Sequence, residues 1–123
     1  MATVATTNIA NQRSILVTAV DVARGTRLTF NGTAYAASAL GVRGDMIALV
    51  DIPASTRGLA APIAQGGSLP VIAGEASCDA GDAAYSMAAG LTGVTTTNAV
   101  LMGKWLQTTA SGALGVIELE SVA

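Results

Sequence analysis

The chain states one pattern twice within its 123 residues. Between Asp21 and Ile63 an Arg24-Gly25-Thr26 turn leads to Asp45-Met46-Ile47-Ala48-Leu49-Val50, and then, across Ser55-Thr56-Arg57-Gly58, to the apolar run Leu59 to Ile63. Between Gly74 and Ala123 an Ala80-Gly81-Asp82 turn leads to Val100-Leu101-Met102-Gly103-Lys104-Trp105, and then, across Thr109-Ala110-Ser111-Gly112, to Ala113 through Leu119. Short apolar segments separated by glycine-containing turns suit strands better than helices. The expected fold is therefore all-β: a compact β-sandwich or small barrel with internally echoed halves. Neither half carries a catalytic group, so the pattern points to a surface that binds rather than a pocket that reacts.

Local signals place the strands. Ile15 to Val20 is short, rich in branched residues and closed by Asp21. Leu28-Thr29-Phe30, Asn31-Gly32 and Thr33-Ala34-Tyr35 spell a hairpin with Asn31-Gly32 as a type I′ turn, because both residues tolerate positive φ. That register sets Leu28 opposite Tyr35 and Phe30 opposite Thr33. Met46 to Ile52 is a strand ending at Pro53, whereas Ser55 to Gly67 reads as a loop or an irregular strand bent by Pro62. Leu69 to Ile72 resumes β-structure. Ala83 to Met87 is a strand, with a helix over Ala83 to Leu91 as the alternative on propensity. Ile117 and Leu119 alternate with Glu118 and Glu120, the period of a half-buried strand. The expected core is Ile15, Val17, Leu28, Tyr35, Ile47, Leu49, Val100, Trp105, Ile117 and Leu119.

Residues 1–12 are mostly Ala, Thr and Asn without apolar periodicity, and are expected to form an extended N-terminal arm, either frayed or docked on a neighbouring subunit. Residues 13–123 are expected to form a single β-domain. Charged residues make up 11% of the chain against the usual quarter, which leaves a neutral surface suited to contact with other protein. The net charge of −2 and the scattered basic residues argue against nucleic acid. The one Cys excludes an intrachain disulfide, and the uncharged run between Asp82 and Lys104 is too polar to span a membrane.

The chemistry available is sparse. With no His, the usual general base and the usual zinc ligand are both missing. Cys78 has carboxylates nearby, which raise a thiol pKa and favour an inert, packed side chain. Glu75, Asp79 and Asp82 invite a calcium loop, yet they lack the alternating ligands and terminal bidentate Glu of one. A hydrolase built on Asp alone needs two carboxylates facing one cleft. Trp105 is expected in the core or at a subunit interface rather than on a stacking platform. No catalytic, cofactor-binding or metal residue is assigned.

Gly67-Ser68-Leu69-Pro70, then Ala73-Gly74-Glu75-Ala76, then Ala80-Gly81-Asp82-Ala83-Ala84-Tyr85 together resemble the Gly, hydrophobic, Leu-Pro and Ala-Gly-Asp-Ala, hydrophobic, Tyr pattern of small capsid decoration, or cement, proteins of tailed bacteriophages. Met102-Gly103, Gly112 and Val116 to Leu119 are similar to that family's closing segment, and Asp45 to Gly58 resembles its first half. Where the family has Gly-Glu after its first strand and a basic residue after the Pro, this chain has Ser55-Thr56 and Val71. The resemblance implies a head-stabilising structural protein of the virion, made in the host cytoplasm and bound to the major capsid protein on the outer surface of an icosahedral head. It further implies a homo-oligomer, a trimer or a dimer, with turn glycines and no catalytic residues. Val20 to Leu28 is also similar to the opening of β-clip domains, so a binding or appendage module for carbohydrate or protein is the competing expectation.

Overall fold

The computed structural model describes residues 12–120, and the arm expected over residues 1–12 lies, apart from Gln12, outside the described residues. Ten strands run in chain order: β1 (Arg13–Leu16), β2 (Arg27–Phe30), β3 (Tyr35–Ala37), β4 (Met46–Ala48), β5 (Arg57–Pro62), β6 (Gly67–Ile72), β7 (Ala83–Ser86), β8 (Thr92–Gly93), β9 (Leu101–Trp105) and β10 (Leu114–Leu119). They form two antiparallel five-stranded sheets in a compact, sandwich-like arrangement, one ordered β1-β5-β4-β2-β3 and the other β6-β10-β9-β7-β8. Each sheet uses one continuous half of the chain, and the two orders are the same topology. The echo in the sequence is thus a duplicated lobe.

The duplication extends to individual pairings. Phe30 pairs with Tyr35 as Ser86 pairs with Thr92, so a residue up to Phe30 finds its counterpart 56 positions on and a residue from Tyr35 onward 57 positions on. Isolated bridges obey the same rule: Val22 with Ile52 matches Cys78 with Thr109, and Val17 with Tyr35 matches Ala73 with Thr92. So do turn bonds, Gly25 N–H to Ala48 O and Gly81 N–H to Trp105 O, both 2.8 Å. The parallel bridges mean that each sheet curls until its two edge strands touch at one point. Closure stops there, short of a barrel.

Side chains alternate across a strand, so each curled sheet has an inner and an outer face. The inner face of the first lobe is filled by Ile15, Val17, Val22, Leu28, Met46, Ala48, Ile52 and Ala60, with Tyr35 half-buried against them. The outer-face residues Ile47, Leu49 and Ala61, with Ile63 just beyond β5, instead join Leu69, Val71, Ala73, Cys78, Ala84, Met102, Trp105, Ile117 and Leu119 of the second lobe. The second lobe is therefore seated on the back of the first sheet. Of the ten core residues expected from the sequence, Tyr35 and Val100 are only half-buried and the other eight are buried.

Two expectations are corrected. The hairpin register is shifted by two, with Leu28 opposite Ala37 and Phe30 opposite Tyr35. Asn31 does not occupy the turn centre, because its Oδ1 accepts hydrogen bonds from Thr33 N–H (2.9 Å) and Ala34 N–H (3.0 Å). Only Gly32 there has positive φ, at 103°, the requirement of a turn with Gly in its first central position. Next, Ser55 to Gly67 contains the full strand β5, lying between β1 and β4. Pro62 is its last residue, past the Arg13–Ala60 pair that ends the β1 ladder, so its missing N–H removes no bond. Ala83 to Ser86 is strand β7 and Ala88–Gly90 a single 3-10 turn, so the strand expected over Ala83 to Met87 is present and the alternative helix is not.

Candidate functional site

Cys78 and Glu75, two of the groups singled out by the sequence, are committed to the fold. Cys78 is fully buried, its Sγ–H donating to Glu75 O at 3.3 Å. Burial first, and then the nearby Glu75, Asp79 and Asp82, push its pKa up, which disfavours a thiolate. The Glu75 carboxylate accepts from Val94 N–H (2.8 Å), Thr95 N–H (2.9 Å) and Thr95 Oγ1–H (2.7 Å). The Thr95 hydroxyl chiefly, outweighing partial desolvation, holds this carboxyl below its ordinary range. Glu75 thus staples the loop after β8. Among the described residues no group of three or more His, Cys, Asp or Glu is placed to hold a metal ion.

A shallow depression brings two Asp residues together, Asp21 and Asp51, across the Val22–Ile52 bridge. Asp21 Oδ1 accepts from Ala54 N–H and Asp51 Oδ1 from Arg24 N–H, both at 2.8 Å. The second lobe makes the latter bond with Thr108, whose Oγ1 accepts from Ala80 N–H at 3.2 Å. A hydroxyl makes the same bond at the duplicated position, so Asp51 pins its loop as Thr108 does.

The most unusual side chain is Arg27, which the alternation in β2 disguised as an ordinary solvent-facing residue. It is completely buried on the outer face of the first sheet. Nε donates to Leu91 O (3.0 Å), one terminal nitrogen to Val42 O and Arg43 O, and the other to Met87 O. Desolvation lowers its pKa to about 10, so it stays charged at neutral pH, solvated by carbonyls instead of water. Two of those acceptors belong to the first lobe and two to the second. Arg27 is the peg between them. Gly90 makes the close approach possible, since a Cβ there would lie 2.5 Å from Thr26 Cγ2 and 2.7 Å from Arg27 O.

What remains is surface. Trp105 is fully buried, with its indole N–H donating to Gly93 O at 3.3 Å, and so offers no platform. Phe30 is the aromatic left most open, 48% exposed and tilted against Tyr35 at a ring separation of 5.1 Å. It stands at the seam of the first lobe, where Arg13, Ser14, Ile15, Leu16, Thr33, Tyr35 and Arg57 line a shallow hollow. The outer face of the second sheet is open as well: Ala83, Lys104, Glu118 and Glu120 are exposed and rim a depression floored by Gly103. These are the counterparts of Arg27, Ile47, Ala61 and Ile63, all buried in the first lobe. The resemblance residues Leu69 and Pro70 are buried in the edge strand β6, and Gly81 and Gly112 are turn residues at φ of 93° and 81°. No helix among the described residues is long and apolar enough to cross a membrane.

No protein-family model matches the chain, and no curated protein matches it in sequence. Among solved structures, the N base of the head fiber gp8.5 of bacteriophage phi29 matches with a TM-score of 0.71 at 18% identity, covering 89% of this chain and 95% of that one. The two-lobed β-fold described above is therefore the fold of a phage head-fiber base, shared along nearly the whole of both chains.

Proposed function

We propose that this chain is a structural protein of a bacteriophage virion and that it decorates the outer surface of the head, adding cohesion to the capsid lattice. The observation that carries this reading is the fold shared end to end with a head-fiber base. It is supported by the commitment of Arg27, Cys78, Glu75, Asp21 and Asp51 to internal bonds, which leaves neutral and mixed-charge surface as the feature able to act. In this reading the partner is the major capsid protein, the chain is not an enzyme, and residues 1–12 supply a strand that pairs with an exposed edge on a neighbour. A carbohydrate-binding module is less well supported, because Trp105 is buried and Phe30 stands without a second open aromatic beside it.

The test is reconstitution. Purified protein mixed with undecorated heads of its phage is expected to co-sediment in a fixed ratio to coat subunits and to raise the temperature at which the heads release DNA. Absence of binding at saturating protein overturns the reading. Removal of residues 1–12 is expected to leave the melting temperature of the free protein unchanged while weakening attachment to heads.

A further inference from the structure

The two lobes of one chain meet head to tail. Ile72 and Leu114 of the second lobe lie against Gly25 on the outer side of the first, Leu69 is buried in one cluster with Ala61 and Ile63, and Met87 and Leu91 accept from Arg27. A contact of this kind buries different patches on its two sides, so it leaves one of each patch unused at the ends of the pair. Here the unused patches are the seam of the first lobe and the outer face of the second sheet. Both are on the surface.

We propose that these two patches bind each other between copies, so that the chain assembles with itself head to tail by repeating its internal lobe contact. The residues that the duplication places face to face have complementary charge. Leu69, buried in one cluster with Ala61 and Ile63, has Arg13 as its counterpart in the first lobe, while Ala61 and Ile63 have Glu118 and Glu120 in the second. Leu114, whose Cδ1 lies 2.7 Å from the position of a Cβ on Gly25, has Arg57 as its counterpart, while Gly25 corresponds to Gly81 with Asp82 beside it. Two apolar contacts inside the chain are thus replaced by Arg13 against Glu118 and Glu120, and by Arg57 against Asp82. All five of these residues are exposed. Lys104 lies on the same face, in the place of Ile47.

The internal contact also has its peg, Arg27, which becomes Ala83 in the second lobe. The contact between copies therefore lacks a buried cation and relies on rim charges, which makes it reversible and salt-sensitive. Each copy carries both patches, so repetition of the contact closes into a ring of two or more copies or runs on as an open chain, and the rotation between copies decides which.

This inference sharpens the self-association in the proposed function but is tested without any capsid. Native mass and sedimentation of the isolated full-length protein are expected to give two or more times the 12.1 kDa chain mass at low salt, dissociating as salt rises. The double variant E118R/E120R, and separately R13E/R57E, are expected to weaken association by at least about ten-fold, the scale of close charge pairs at interfaces, with unchanged circular dichroism and melting. Adding R13E to E118R/E120R restores opposite charge between position 13 and positions 118 and 120 while leaving Arg57 against Asp82, and is expected to restore association. A monomer at low salt overturns the proposal. So does an oligomer indifferent to both double variants, and variants that associate normally but fail to bind heads would assign the acidic face to the coat protein instead. If association behaves as expected and heads are still not bound, the capsid reading falls and this one stands.

Discussion

The two lobes share their hydrogen bonds and differ in what fills them. In the first lobe the large inner residue is Leu28, facing Ala48 and Ala60; in the second the corresponding positions are Ala84, Trp105 and Ile117. Bulk moved from one strand to two others while the backbone ladder stayed in place. Volume-conserving exchanges of this kind are what close-packed interiors tolerate. The same freedom appears at the turns, where Ser55 (φ 59°) stands for Gly112 (φ 81°). Backbone pairing, rather than any particular core residue, is what the duplication preserved. The outer faces differ more deeply, because one is an internal interface and the other meets water.

The strongest way to break the comparison is to empty one lobe. Trp105→Ala is expected to destabilise the protein by about 3–5 kcal/mol, the usual range for a buried Trp, whereas Ala48→Gly at the matching place is expected to change stability by only about 1 kcal/mol. Chemical denaturation of both variants checks the asymmetry; equal effects would mean that the lobes do not have separate interiors. Next in size is Arg27→Met, which leaves the carbonyls of Val42, Arg43, Met87 and Leu91 without their donor. A loss of about 2–4 kcal/mol is expected from buried acceptors left unpaired, together with separate melting of the two lobes by calorimetry. A single sharp transition at the original temperature would show that the peg does not couple them.

A matched pair of glycines sharpens the comparison. A Cβ on Gly58 would lie 2.5 Å from Ile52 Cγ1, and one on Gly115 would lie 2.3 Å from Thr109 Oγ1. Gly58→Ala and Gly115→Ala are each expected to lower stability by about 1–3 kcal/mol through overpacking, and a large effect in one lobe alone would refute their equivalence. Gly32→Val is expected to cost about 1 kcal/mol from backbone strain alone, since nothing lies within 4 Å of a Cβ there. The smallest effect concerns Glu75, whose counterpart is Ala19. Its depressed folded pKa means that its contribution is complete above the unfolded carboxylate value near 4.3 and disappears as pH falls through the folded one. Faster amide exchange at Val94 and Thr95 is expected in Glu75→Gln at neutral pH, with no change in the loop that follows β3.

Sequence made the duplication, the strand class and most of the core legible, because turn glycines and apolar spacing are local signals. Asn31-Gly32 located a turn but not its register, which was decided by the Asn31 side chain reaching forward to Thr33 and Ala34. Ser55 to Gly67 concealed a central strand because Pro62 reads as a breaker unless the end of the β1 ladder is known. Arg27 was invisible for a different reason. Arg-Leu-Thr-Phe is an ordinary half-wet strand, and only the position of Met87 and Leu91, some sixty residues later, turns its outer face inward. For the same reason neither exposed patch was identifiable before the lobes were placed on each other.

The distance along the chain between Arg27 and its acceptors also sets an order of events during synthesis. The first sheet is built wholly from residues 13–62, so it can pair as soon as that stretch leaves the ribosome. Its back, with Ile47, Ala61 and Ile63, stays uncovered until the second lobe has been made. A newly made first lobe is therefore a transient holder of a cation with half its acceptors and of an uncovered apolar face, until the Met87 to Leu91 turn supplies the remaining carbonyls and the second-lobe core covers the face.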